Sequence, residues 1–106
     1  LEVGEIMKFT PQKLNIPIKK ANNLFLKIKG FMFKKDKINY GLLLNNCNSI
    51  HTLFMKQKID VIMTDKNDNI LYYYQNLKPF RIIFPKKKVK KIYELPAGTI
   101  NKDNII

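Results

Sequence analysis

The sequence has little cysteine, little glycine and no long apolar run. Its single cysteine excludes an intramolecular disulfide framework, and its four glycines form no phosphate-binding loop. No apolar run approaches the roughly 18 residues that a membrane-spanning helix needs, and no signal peptide is visible. The length of 106 residues and the 45% hydrophobic content fit one globular domain over residues 1–106, and they exclude wholesale disorder and a two-domain enzyme.

The two ends of the chain bear on where the protein works. Met7 is a candidate native start, which would make residues 1–6 an expression remnant and the protein cytoplasmic. An upstream signal that has been removed is equally compatible and would make the protein extracytoplasmic. The chain stops at Ile106 without a capping turn, which fits either a truncated C-terminus or a divergent tail. The compartment and the oligomeric state therefore stay open.

Negative charge is scarce, with 8 acidic residues against 20 basic ones and a net charge of +12. Such a chain attracts nucleic acid, acidic lipid surfaces and acidic proteins. However, every basic residue except Arg81 is lysine. Lysine codons are A/T-rich, so genome composition explains much of the excess, and proteins that read bases rely on the planar fork of arginine. We therefore expect mainly solvated lysines and only secondarily an anionic partner.

Alternation of apolar and polar residues with a period of two predicts mostly strands. One such strand covers residues 14–19, where Pro17 lacks a backbone N–H and so places the strand at a sheet edge. Ile59–Thr64 and residues 70–75 flank a polar turn and predict a β-hairpin. The other predicted strands are 40–44, 52–55, 80–84 and 92–95.

One short helix is predicted between residues 21 and 29. An asparagine at 22–23 can cap its start, and Gly30 can end it. Leu24, Phe25 and Ile28 form an apolar stripe, and two turns are too short to be stable alone, so we expect the stripe to pack onto a sheet. The fold class is therefore mainly β: a small sandwich or partly open barrel of about six to eight short strands with one short α-helix.

The only cysteine, Cys47, and the only histidine, His51, are four residues apart. An imidazolium beside a thiol favours a thiolate nucleophile. The pair could instead bind zinc or copper if Asp60, Asp65 or Glu94 completed the site. The simpler interpretation makes Cys47 a small buried hydrophobe and His51 a structural histidine. Asp60 and Glu94 each lie between apolar neighbours, which favours members of buried hydrogen-bond networks.

The run at residues 86–91 has five lysines in six positions, and three tyrosines at 72–74 offer aromatic faces. Bases could stack on such faces beside a basic groove. A solvated hairpin tip, with lysines that protect a strand edge from aggregation, is the simpler interpretation. The candidate anion-binding residues are Arg81, Lys86, Lys87, Lys88, Lys90 and Lys91.

Five blocks follow one another in an order typical of one family. They are Gly-Phe-Met-Phe at 30–33, Gly-Leu-Leu-Leu at 41–44 with Cys-Asn-Ser-Ile-His-Thr-Leu-Phe-Met at 47–55, Ile-Asp-Val at 59–61, Leu-Lys-Pro-Phe-Arg at 77–81 and Glu-Leu-Pro-Ala-Gly at 94–98. Together they resemble the prokaryotic family catalogued as domain of unknown function 192. The resemblance covers about residues 14–100 and implies a small, mainly β, sandwich-like domain with a short helix. It implies no established reaction.

We interpret the protein as a non-enzymatic binding or accessory module, of bacterial origin, whose ligand the sequence does not identify. The motif blocks concentrate polar and reactive side chains that core packing alone would not require. An anion- or nucleic-acid-binding module and a small Cys-His enzyme are the alternatives. No catalytic residue, metal ligand or cofactor is predicted. The candidate ligand-binding residues are Cys47, His51, Thr52, Met55, Asp60 and Glu94.

Overall fold

A computed structural model describes residues 2–101, with side chains from residue 7 onward. It is mainly β, as predicted, with eight strands in the described range and one short α-helix. The elements are β1 (Glu2–Lys8), a 3-10 helix (Pro11–Lys13), β2 (Ile18–Lys20), α1 (Leu24–Lys29), β3 (Gly41–Asn45), β4 (Ile50–His51), β5 (Ile59–Thr64), β6 (Asn69–Leu77), β7 (Ile82–Ile83) and β8 (Lys91–Pro96).

Six of the strands form one open sheet in the order β1-β6-β5-β8-β3-β2, and β4 pairs with β7 in a separate two-stranded ribbon. Every pair is antiparallel except β2 with β3. The predicted hairpin is confirmed as β5 and β6. Its turn is fixed by Asp65, whose carboxylate accepts hydrogen bonds from the backbone N–H groups of Asn67 and Asn69. Asp side chains stabilise turns in this way because they satisfy backbone donors that lack a strand partner.

The alternation of side chains along each strand divides the core into two clusters on opposite faces of the sheet. Strand β5 contributes to both and is buried along its whole length. The first cluster lies on the face that the β4–β7 ribbon covers, and it includes Phe31, Leu44, Ile50, Met55, Ile59, Val61, Met63, Ile83 and Ile92. The second lies on the other face and includes Phe9, Leu14, Ile62, Ile70, Tyr93, Leu95 and Ile100.

Three predicted strands differ from the structure: two are shorter than the sequence pattern indicates, and one is absent. Of residues 14–19 only the last two are in a strand, β2, although its edge position is confirmed. The strand predicted at 52–55 is wrong, since β4 ends at His51, and the one at 80–84 reduces to Ile82–Ile83. Phe54 and Phe80 explain these last two errors, because both have positive φ values, 62° and 61°, that are incompatible with a strand.

Helix α1 begins and ends close to the prediction but packs differently. Asn23 caps it, since its Oδ1 accepts a hydrogen bond of 2.8 Å from the N–H of Leu26. The apolar stripe does not pack onto the sheet, because Leu24 and Phe25 are 72% and 70% exposed. The buried anchor is instead Phe31, just beyond the helix, whose ring meets that of Tyr40 edge-on at 5.5 Å. Within residues 2–101 no helix has the length and apolar character to cross a bilayer.

Candidate functional site

An open cavity of about 640 Å³ lies between α1 and the β4–β7 ribbon. Its volume is in the range of small-molecule sites, roughly 300–1,000 Å³. Apolar side chains make most of its wall, and a few polar groups interrupt them. The principal apolar residues are Leu24, Ile28, Ile50, Leu53, Ile82 and Phe84, and the polar groups that matter below are Lys27, Cys47, His51 and Glu94.

Glu94 is the unusual residue of this cavity. It lies two residues after Ile92 on β8, so its side chain points to the face that carries the ribbon. Its backbone pairs with Leu42 on one side and Val61 on the other, in the middle of the sheet. Glu94 is only 2% exposed, and its Oε1 has no hydrogen-bond partner. An unpaired buried carboxyl oxygen destabilises a fold, because it has lost its contact with water and gained no hydrogen bond in return.

Burial also changes the protonation of this carboxyl group. Loss of solvent raises the pKa of Glu94 from 4.5 to about 8, and a backbone hydrogen bond from Phe31 acts in the opposite direction. The group is therefore mostly protonated at pH 7. A protonated carboxyl has an O–H donor as well as acceptor capacity. The cavity thus presents a neutral acid that can donate a hydrogen bond to a ligand oxygen.

Gly30 brings the end of α1 against this carboxyl group. Its φ is +47°, and a Cβ at this position would lie 2.6 Å from Oε1 of Glu94 and 3.0 Å from Oε2. Only glycine combines that backbone angle with so close an approach. The sequence identified Gly30 only as a helix stop. Its second role, as the residue that lets the helix end close over Glu94, is visible only in the structure.

The cysteine and the histidine line the same cavity as Glu94. His51 accepts a hydrogen bond of 3.1 Å at Nδ1 from the N–H of Leu53, so the neutral ring carries its proton on Nε2. Cys47 donates from Sγ to the carbonyl oxygen of Ser49 at 3.2 Å. Each group is thus engaged with nearby backbone.

The other three candidate residues do not line this cavity. Thr52 joins two loops, since its hydroxyl donates to the carbonyl oxygen of Lys78 at 2.7 Å and accepts from the N–H of Arg81 at 2.8 Å. Met55 is buried in the first core cluster. Asp60 accepts hydrogen bonds from the N–H groups of Asn76 and Ile100 at 2.9 and 2.8 Å, and Ile100 belongs to the second cluster. Asp60 therefore lies on the sheet face opposite Glu94.

The candidate anion-binding residues do not form a single platform with the tyrosines. Tyr72 and Tyr74 pack against the first cluster, whereas Tyr73 packs against the second, as alternation along β6 requires. Lys86 lies over the Tyr72 ring, with Nζ 5.4 Å from its centroid. Lys91 forms an ion pair of 3.3 Å with Asp68. The remaining four, Arg81, Lys87, Lys88 and Lys90, are exposed.

Metal binding needs ligands that converge on one point. In the part of the chain that the structure describes, no three His, Cys, Asp or Glu side chains are placed so that they could hold an ion. Asp60, which the sequence offered as a further ligand for Cys47 and His51, is on the opposite face of the sheet.

Fold and site together define a class: a small, mainly β domain in which a buried carboxyl group, with one oxygen that has no hydrogen-bond partner, lies at the wall of an open and mostly apolar cavity. The chain belongs to the family DUF192, described as "Uncharacterized ACR, COG1430", whose sequence model matches residues 6–106. The resemblance inferred from the five motif blocks is therefore confirmed. The family is uncharacterised, and membership assigns no specific function.

Sequence relatives of this chain occur in archaea. The chain is 33% identical over 93 residues to UPF0127 protein PF1050 of Pyrococcus furiosus, a match that covers 84% of this chain and 79% of that protein. It is 37% identical over 82 residues to UPF0127 protein PH1112 of Pyrococcus horikoshii, which covers 74% and 70%. A crystal structure of a protein of unknown function from Novosphingobium aromaticivorans has a TM-score of 0.70 at 13% identity, over 88% of this chain and 73% of that one. That last likeness shows the fold alone.

Proposed function

We propose that this protein is a non-enzymatic binding module whose ligand enters the cavity between α1 and the β4–β7 ribbon. The observation that carries the proposal is the unpaired Oε1 of Glu94, which is buried at the wall of that cavity. A carboxyl group of this kind reduces stability, because one of its two oxygens has lost water and has no hydrogen-bond partner in the described part of the protein. A bound ligand that supplies a hydrogen-bonding partner would offset that loss.

The chemistry of the wall defines the class of ligand. Glu94 in its protonated form, the Nε2–H of His51 and the ammonium group of Lys27 are all hydrogen-bond donors. The apolar residues around them favour a hydrocarbon body. The cavity therefore suits an apolar molecule with one oxygen-bearing head group, such as an acyl compound with a carbonyl or carboxylate.

The contacts of Cys47 and His51 support binding over nucleophilic catalysis. A thiol nucleophile needs a base within hydrogen-bond reach. Here the thiol donates to the carbonyl oxygen of Ser49, and the acceptor nitrogen of the histidine is already engaged by the N–H of Leu53. Neither group uses the other as its hydrogen-bond partner.

A titration with decanoate tests the proposal, because this probe combines a short hydrocarbon chain with a carboxylate. Calorimetry should detect saturable binding to the full chain. Glu94→Leu puts a side chain of similar size in the cavity wall but removes the carboxyl group that would bond to the ligand. We therefore expect the affinity for decanoate to fall about tenfold or more. Asp36→Asn is the control, since Asp36 is exposed and does not line the cavity.

The stability of Glu94→Leu separates a binding role from a structural one. If the carboxyl group binds a ligand, the Glu94→Leu variant should unfold at the same denaturant concentration as the parent protein or a higher one, and it should bind decanoate more weakly. If the variant binds decanoate as the parent protein does, or if the parent protein binds none, the proposal is wrong.

A further inference from the structure

Within residues 7–101, the exposed large hydrophobic side chains are confined to three stretches of the chain. Among residues 7–101, nine large hydrophobic side chains are exposed, and all nine lie within residues 24–35, 46–58 and 78–90. We call these three stretches the mouth segments, because each contributes residues to the cavity described above. Soluble proteins rarely keep a large connected apolar area exposed unless it binds something.

Three of these nine side chains contact one another, and four others line the cavity. Three aromatic rings form a row: Phe33 stacks on Phe54 at 5.9 Å, and Phe54 meets Phe80 edge-on at 6.0 Å. Two residues beyond Phe80, Ile82 lines the cavity, and Leu24 lines it from the helix. We call the exposed hydrophobic residues of the mouth segments the apolar patch, and this patch includes both the row of rings and side chains that line the cavity.

The same segments carry the whole net charge of the protein. They contain twelve of the 20 basic residues and no acidic residue, and the first acidic residue beyond them is Asp36. The rest of the chain has the other eight basic residues and all eight acidic ones, so it is neutral overall. A biased genome composition accounts for many lysines, but it does not account for this separation of charge.

We propose that the mouth segments dock on an anionic membrane surface. Exposed phenylalanine and leucine side chains insert into the boundary between head groups and acyl chains, and lysines contact the anionic head groups. Eleven of the twelve basic residues are lysine. Lysine is depleted at protein interfaces, and arginine is the preferred residue for reading bases, so the lysine-rich mouth segments fit lipid better than protein or nucleic acid. This proposal does not depend on a ligand in the cavity.

The chain has no tryptophan, so one introduced indole reports on one position. Phe25→Trp places it on α1 at a side chain that is 70% exposed and does not line the cavity. With vesicles of phosphatidylcholine and phosphatidylglycerol in about equal parts, its emission should shift to the blue, and added salt should weaken the effect. Gln12→Trp, on the 3-10 helix beside the second core cluster, is the control and should not respond.

A second substitution distinguishes insertion from simple charge attraction. Phe80→Ser, added to Phe25→Trp, removes an exposed ring outside the cavity wall and should weaken vesicle affinity about tenfold. Circular dichroism must show that this variant is folded. The proposal is overturned if the Phe80→Ser variant binds vesicles as tightly, if the Gln12→Trp indole shifts equally, or if soluble polyglutamate shifts the Phe25→Trp emission as the vesicles do.

Discussion

The protonation of Glu94 should make the stability of the protein depend on pH in an unusual direction. Burial raises the pKa of this carboxyl group to about 8, whereas the unfolded chain ionises it near 4.5. Between these values the folded protein keeps a proton that the unfolded chain has lost. The stabilising contribution is therefore fully present below about pH 4.5 and is lost as the pH rises through 8.

The magnitude follows from the size of the shift. Each pH unit in this window lowers the free energy of unfolding by roughly 1.4 kcal/mol, or about 5 kcal/mol in all. That is a large part of the roughly 5–15 kcal/mol that stabilises a typical domain. Glu94→Gln keeps the shape of the side chain but does not titrate, so its stability should lack this decline.

Urea denaturation of both proteins between about pH 5 and pH 9, followed by circular dichroism, measures the difference directly. Subtraction of the Glu94→Gln curve removes the contribution of every other titrating group. We expect the parent protein to lose stability relative to the variant as the pH rises. A difference that is independent of pH, or one that grows in favour of the parent protein, would refute the reasoning.

Three further predictions concern the contacts that position the site. Gly30→Ala forces a Cβ against Glu94 and should destabilise the protein by about 2 kcal/mol or more. Gly98 also has a positive φ, but no neighbouring atom lies within 4 Å of a Cβ added there. Gly98→Ala should therefore lower the melting temperature less than Gly30→Ala does. Asp60→Asn replaces one of the two carboxylate oxygens that accept hydrogen bonds from backbone N–H groups. It should lower the free energy of unfolding by about 2 kcal/mol without changing decanoate affinity. Thr52→Val should lower the free energy of unfolding, measured by urea denaturation, by about 1–3 kcal/mol, because it leaves the backbone N–H of Arg81 without its acceptor.

Each of these has an outcome that would count against it. Equal effects of the two glycine substitutions would show that the backbone angle, and not the approach to Glu94, sets the cost at Gly30. A loss of decanoate affinity in Asp60→Asn at full folding would place Asp60 in the binding site. A Thr52→Val variant as stable as the parent protein would show that the hydroxyl does not join the two loops.

The sequence predicted the central strands well because they are regular and packed against core residues on both faces of the sheet. Strands β5 and β8 show the apolar pattern of buried strands, and a turn with its own hydrogen bonds joins β5 to β6. It failed where the chain is irregular. Phe54 and Phe80 occupy positive φ values that phenylalanine rarely adopts, so no local signal marks the end of a strand there.

The site shows the same limit at the level of register. Asp60 and Glu94 have the same local pattern, one acidic residue between apolar neighbours on a strand, and the sequence treats them alike. In the sheet, Asp60 pairs with Leu95, and Val61 pairs with Glu94. The two acidic residues are therefore offset by one position in the register between β5 and β8. Alternation then sends them to opposite faces. Which acidic residue reaches the cavity thus depends on pairing between distant strands, which composition and spacing do not encode.

The exposure of α1 also escaped prediction, for an energetic reason. An apolar stripe on a short helix normally predicts burial, because such a helix is unstable alone. Here the capping by Asn23 and the burial of Phe31 hold the helix at both ends, and its stripe stays in solvent. An apolar stripe that packs inside the protein and one that stays exposed on its surface have the same sequence pattern.

Carbon-13 NMR of the Glu94 carboxyl group, followed across pH with and without decanoate, tests the central claim most directly. We predict that the signal titrates near pH 8 in the free protein, and that decanoate at pH 7 changes its chemical shift. A carboxyl group that titrates near its ordinary value of 4.5 and does not respond to decanoate would contradict the account.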